Sequence, residues 1–173
     1  MADVHSPEIR SKNMKAIRNH DTYIEIKLNA MLEDLGFEFQ KQVKELPGKP
    51  DFVIEKYRKI IFTHGCFWHK HNCHLFKPPA TRTDFWMKKI GKNVVRDKDI
   101  YERLRDGGWH VMIIWECSIK GRSKLSPQQL LDRVEEWVCA GDYSAEIDTS
   151  GMHKKLFKPS DNGQNDDINE TGT

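Results

Sequence analysis

Apolar and polar positions along this chain follow two periods, and the switches between them outline an α/β protein. Ser6-Pro7-Glu8 reads as an N-cap with proline in the first turn. It opens a short helix that carries Arg10, Lys12, Lys15 and Arg18, with only Met14 and Ile17 as apolar positions. Thr22-x-x-Glu25 opens a second helix, with Ile24, Leu28, Met31, Leu32 and Leu35 on one stripe and Gly36 as its stop. Phe37 to Gln40 alternates as a strand does. Leu46-Pro47-Gly48-Lys49-Pro50 is turn chemistry, and the runs Asp51–Ile54 and Lys59–Thr63 beyond it predict a hairpin. Helical periodicity returns over Asp84–Ile90 and again over Val94–Asp106, stopping at Gly107-Gly108. Trp109–Glu116 is the most strand-like run. Ser126-Pro127 caps a last helix with Leu130, Leu131, Val134, Trp137 and Val138 inside, and Cys139 reads as core on the same helix. Beyond Gly141 the periodicity fades. This order of elements predicts an α/β sandwich around a small mixed sheet.

Composition narrows the class. A chain of 173 residues, 38% apolar and 31% charged, suits a single globular domain large enough to bury a core. The predicted boundaries are a folded domain over 1–156, with the basic helix in residues 1–20, and a tail over 157–173. That tail is polar and acidic enough to predict disorder. The net charge of +2 hides an asymmetry, because only three Lys/Arg face seven acids after Gly141. The rest of the chain is therefore distinctly basic, which suits a polyanionic partner and equally suits a solvated surface. Val111–Trp115, the longest apolar run, is far too short to cross a membrane. Met1 to His5 shows no charged segment leading into an apolar one, so cytoplasm is the expected compartment. In that compartment four cysteines read as metal ligands or free thiols.

The densest chemistry lies in Thr63–Cys73, T-H-G-C-F-W-H-K-H-N-C. Thiolate and imidazole are the ligands Zn²⁺ prefers, and a closed structural site needs four. Cys66, His71 and Cys73 supply three, and Cys117 is the candidate for the fourth; spacing leaves His69 and His74 open as substitutes for His71. Pro50-Asp51, followed by a second strand ending Phe62-Thr63-His64, resembles the metal-binding core of restriction-type nucleases, without their acid-x-Lys pattern. There Asp51 and the Thr63 carbonyl would offer oxygen ligands to Mg²⁺; taken alone, Asp51 is a turn residue. Glu25 fits a capping box as well as a place beside Asp51. His69 is the candidate general base, histidine being the side chain suited to take a proton from water near neutrality, while Asp97, between Arg96 and Lys98, reads by spacing as a helix-surface charge. Phe67, Trp68 and Trp86 are either core or aromatic wedges that enter between base steps.

Taken together, Met1-Ala2-Asp3-Val4-His5, Leu46–Val53, Ile61–His69, Pro79–Thr83 with Phe85-Trp86, and Lys89–Val94 resemble the very short patch repair endonuclease family, over about Met1 to His153. The resemblance implies a restriction-endonuclease-like α/β/α sandwich with a structural zinc, acting on double-stranded DNA. It implies Mg²⁺-assisted nicking of one strand 5′ to the thymine of a T:G mismatch, such as deamination of 5-methylcytosine creates. By the same resemblance Asp51 and the Thr63 carbonyl hold Mg²⁺, and His69 activates water while Asp97 orients it. His64 and Glu25 complete the catalytic surroundings, and Cys66, His71, Cys73 and Cys117 take the zinc. Phe67, Trp68 and Trp86 wedge beside the mismatch, with the first helix (Met14, Lys12 and Lys15) in the opposite groove. A monomer in the bacterial cytoplasm, working at the nucleoid and in touch with other mismatch-repair proteins, completes the expectation. Two rivals fit parts of the pattern: a non-catalytic zinc-containing DNA-binding module, and a zinc hydrolase with an open coordination position.

Overall fold

The computed structural model describes residues 22–156. The first predicted helix, with Lys12, Met14 and Lys15, and the tail over 157–173 lie outside the described residues. Within them the order is α1 (Tyr23–Asp34), β1 (Gln40–Lys41), β2 (Phe52–Ile54), β3 (Lys59–His64), α2 (Thr83–Asp106), β4 (His110–Trp115), α3 (Pro127–Ala140), β5 (Ala145–Asp148) and β6 (Gly151–Lys154). The six strands form one mixed sheet in sequence order. β1, β2 and β3 pair antiparallel, β3–β4 and β4–β5 are parallel, and β6 returns antiparallel on β5.

Period-two alternation splits the apolar side chains between two layers. Phe52, Ile54, Ile61, Met112, Ile114, Ala145 and Ile147 pack with α1 and α3 on one face of the sheet. Val53, Ile60, Phe62, Val111, Ile113 and Trp115 pack with α2 on the other. Helices on both faces explain why β4 is an unbroken apolar run, since a central parallel strand is buried on both sides. The expected α/β sandwich around a mixed sheet is what forms.

Several elements differ from the expectation. The two helical stretches before Asp106 are one 24-residue helix, α2, because Gly91 interrupts the pattern without breaking it. Phe37–Gln40 contributes only the start of the two-residue β1. The segment after Gly141 forms the β5–β6 hairpin, whose Ala145 and Ile147 are buried by neighbours far away in sequence. Cys139 is exposed rather than core, and Leu131 is only half-buried, because α3 turns Leu130, Val134, Trp137 and Val138 to the sheet.

One glycine shapes the turn before Asp51. Gly48 has φ +75°, and a Cβ there would lie 2.5 Å from Cγ2 of Ile100 on α2. The Leu46–Pro50 turn is thus seated against α2, which brings Asp51 to the same cleft as residues of that helix.

Candidate active site and metal centre

Four parts of the chain, at α1, β1, β2 and β3, deliver the acidic end of the site. Asp51 sits just ahead of β2, and its Oδ2 accepts from the Thr63 backbone N–H at 2.8 Å and from the Thr63 hydroxyl at 3.2 Å. Its Oδ1 accepts from the Gln42 carboxamide at 3.0 Å, and the same Nε2 donates to Glu25 Oε2, also at 3.0 Å. Burial raises the Asp51 pKa, against the lowering effect of the Thr63 and Gln42 hydrogen bonds. Glu25 stands both at the start of α1 and next to Gln42 at the acidic end of the site. Its backbone N–H reaches the Thr22 hydroxyl at 3.4 Å at the helix start, while its buried carboxylate lies against Thr22 and Gln42.

The basic end is assembled from β3, the loop after it and α2. His64 follows Phe62 by two residues, so it lies on the sheet face that α2 covers, beside Trp115 in the register. There its Nε2 meets the Tyr101 hydroxyl. Burial, and next the neighbouring His69, holds the His64 pKa well below the ordinary histidine value, so the ring is neutral. Burial and then Asp97 hold the Tyr101 hydroxyl well above its ordinary value. His69 stacks on His64 with ring centroids 3.7 Å apart, and its Nδ1 is bonded to Asp97 Oδ2.

Asp97 is therefore not the surface charge that its spacing suggested: it is 8% exposed. It belongs to the stripe Ile90, Asp97, Tyr101 and Leu104, whose spacings of seven, four and three turn one face of α2 to the sheet. That stripe was the signal available in the sequence. A cleft of about 820 Å³ joins the two ends, lined by Asp51, Thr63, His64, His69, Asp97 and Tyr101, with Lys44, Lys49, Arg96 and Arg103 around them. Gln42 and Tyr101 are site residues that the sequence reading missed. Gln42 carries no local signal, whereas Tyr101 could have been found from the same helical stripe.

Beside this cleft, Cys66, His71, Cys73 and Cys117 bring their ligand atoms within 4.8 Å of one another. His71 Nδ1 lies 3.5 Å from Cys66 Sγ and 3.6 Å from Cys117 Sγ. The hydrogen bond between the two thiols pushes the Cys66 pKa up and the Cys117 pKa down. Cys117 comes from the turn after β4, and the His71 ring stacks on Trp115 with centroids 4.2 Å apart. Three sulfurs and one imidazole nitrogen, the four ligand atoms of the cluster among the described residues, fit a closed tetrahedral zinc site in chemistry and in number. His69 and His74 stand outside the cluster.

The aromatic residues gather at the other side of the loop. Phe67 lies 5.1 Å from Trp68 and 6.4 Å from Trp86, and Trp68 lies 6.0 Å from Trp86. All three are half-buried against one another, and Phe85 next to them is 47% exposed. Lys89 sits over the Trp86 ring and Arg82 over Phe85, leaving cations beside the aromatic faces.

A mixed α/β sandwich with carboxylates and a histidine–aspartate pair in a basic cleft fits a nuclease of the restriction-endonuclease-like class. A family profile described as DNA mismatch endonuclease Vsr matches residues 2–75. DNA mismatch endonuclease Vsr of Escherichia coli (strain K12) is 56% identical over 153 residues, covering 88% of this chain and 98% of that protein. The chain belongs to the Vsr family of DNA mismatch endonucleases. Type II nicking enzyme V.XorIIP of Xanthomonas oryzae pv. oryzae is 38% identical over 119 residues, 69% of this chain and 88% of the relative. Type II nicking enzyme V.NmeAIP of Neisseria meningitidis is 37% identical over 123 residues, 71% of this chain and 88% of the relative.

Proposed function

We propose that this mismatch endonuclease nicks one strand 5′ to the thymine of a T:G pair by hydrolysis, with His69 as general base. The observation that carries the reading is the His69–Asp97 pair facing the same cleft as Asp51. With Nδ1 committed to a carboxylate, His69 keeps its proton on that nitrogen and offers the Nε2 lone pair to a water. The water oxygen forms a bond to phosphorus, its proton passes to His69 Nε2, and the bond from phosphorus to the leaving sugar oxygen breaks. That oxygen then takes up a proton. Neutral His64 holds the plane of His69 by stacking and adds no positive charge beside it. Lys44, Lys49, Arg96 and Arg103 attract the phosphate backbone to the cleft.

The hard oxygen donors of Asp51, with the Thr63 carbonyl and Glu25 close by, suit Mg²⁺ rather than zinc. When bound, Mg²⁺ would withdraw charge from the scissile phosphate. Cys66, His71, Cys73 and Cys117 would hold a structural Zn²⁺ that keeps the loop carrying His69 in place. Phe67, Trp68 and Trp86 would enter the duplex at the mismatch, where unstacking costs least, with Met14, Lys12 and Lys15 on the opposite groove. Residues 1–156 would form the endonuclease domain and 157–173 an acidic tail. The enzyme would act as a monomer in the bacterial cytoplasm, at the nucleoid, and meet other mismatch-repair proteins there. No helix among the described residues is long and apolar enough to cross a membrane.

The test is a strand-resolved nicking assay on a library of T:G duplexes with matched T:A controls. Cutting restricted to the thymine strand, on its 5′ side, is expected. Cutting of both strands or equal cutting of matched duplex would refute the proposal.

A further inference from the structure

One carboxamide joins the two carboxylates of the cleft. Gln42 Nε2 donates to Glu25 Oε2 and to Asp51 Oδ1, each at 3.0 Å, using both of its hydrogens. The carboxylates come from α1 and from the residue before β2, so nothing local fixes their spacing. Gln42 is itself anchored to Asp51, because its backbone N–H donates to the Asp51 carbonyl at 3.1 Å. Its φ is +52°, a left-handed backbone that a glutamine rarely adopts, directly after β1. Such an outlier is kept where its surroundings demand it, and here it accompanies a side chain that spans two acids.

The chemistry of the donor matters as much as its position. A lysine or arginine between Glu25 and Asp51 would neutralise them and compete with a cation. A carboxamide satisfies one oxygen of each while leaving both negative charges in place. At Asp51 the count is specific: Oδ2 takes two donors from Thr63 and Oδ1 takes one from Gln42. A carboxylate has about four lone-pair sites, so among the described residues these contacts leave one on Oδ1 open. Thr63 and Gln42 together thus fix which lone pair of Asp51 is available.

We propose that Gln42 is a positioning residue for the cation site, setting the spacing of Glu25 and Asp51 and aiming the free lone pair of Asp51. This rests on the proposed role of Asp51 as a Mg²⁺ ligand. Gln42 acts through Asp51 and Glu25, and its effect is on metal affinity.

The test measures Mg²⁺ affinity of the DNA-free protein by competition against terbium luminescence, beside the Mg²⁺ dependence of nicking. Gln42→Asn is the informative variant. Asparagine tolerates the left-handed backbone at least as well but is one methylene too short to reach both acids. Gln42→Ala removes the donor altogether. In both, half-saturating Mg²⁺ should rise about tenfold in the binding and the nicking measurements, the loss expected for a hydrogen bond to a charged group. The nicking rate at saturating Mg²⁺ should stay within about threefold, since the general base is untouched. Combining Gln42→Ala with Glu25→Gln should be non-additive, because both act on one pair. A lower melting temperature with unchanged Mg²⁺ affinity would make Gln42 a structural brace and overturn the proposal. Asp51→Asn, run in parallel, separates the two levels. If it retains Mg²⁺ affinity, the cation site itself has been misplaced; if it loses affinity while Gln42→Asn does not, only the role of Gln42 falls.

Discussion

The imidazoles of His64 and His69 lie face to face, their centroids 3.7 Å apart and their planes 14° apart. Two protonated rings at that distance would repel, and His64 is kept neutral by burial first and by His69 second. Its folded pKa is depressed, so the unfolded chain binds a proton more readily. The stabilising difference is fully present above the unfolded value, about 6.5, and is lost as pH falls toward the folded one. Melting temperature should therefore drop between pH 7 and pH 5, and His64→Asn should flatten that drop. Equal pH profiles for both proteins would refute the role given to His64.

Asp51 has the opposite sign for an acid. Its pKa is raised by burial, so the unfolded chain deprotonates first and the group costs stability as pH rises through 3.8 toward the folded value. Asp51→Asn should lose nicking by roughly a thousandfold, as for removal of a group that stabilises a phosphoryl transition state. It should nevertheless melt at or above the wild-type temperature at pH 7. A strongly destabilised variant would show that the charge holds the fold together.

His69→Ala should slow nicking by about 10²–10⁴-fold, the usual contribution of a general base. Asp97→Asn should lose activity while keeping DNA affinity, because it removes the carboxylate that keeps the proton on His69 Nδ1. Single-turnover rates beside binding titrations would check both. A His69→Ala enzyme within a few-fold of wild type would exclude it as the base.

Purified protein should contain one zinc per chain by elemental analysis. Cys66→Ser or Cys73→Ser should lower the melting temperature and solubility more than the chemistry of the remaining folded fraction, because metal binding contributes folding energy. Cys139→Ser is the matched control, since that thiol is exposed on α3. Absence of zinc from the purified protein would contradict the reading.

Trp68→Ala and Trp86→Ala should weaken binding to T:G duplex more than to matched duplex. Base–aromatic stacking is worth about 1–3 kcal/mol per base, which is roughly tenfold to a hundredfold in affinity. Lys12→Ala should instead weaken both duplexes and flatten the salt dependence. Titrations at two salt concentrations measure the difference. Unchanged preference for T:G in both tryptophan variants would assign these rings to packing alone.

What the sequence determined by itself is what lies close together along the chain. The ligand-rich run Thr63–Cys73, the Leu46–Pro50 turn ahead of Asp51 and the amphipathic helices were legible because spacing there fixes direction. The apolar run of β4 announced a strand for the same reason. Tertiary structure decided the rest. Asp97 looks solvated between Arg96 and Lys98, and becomes a buried partner of His69 only because α2 presses its Asp97–Tyr101–Leu104 stripe onto the sheet. Cys117 joins the thiol cluster through the position of β4, 44 residues beyond Cys73. The β5–β6 hairpin has too little pattern of its own and acquires its burial from β4 and the layers around it. Gln42 is the extreme case. A glutamine between a lysine and a valine has no local signature, and its place between Glu25 and Asp51 exists only once α1, β1 and the turn before β2 have come together.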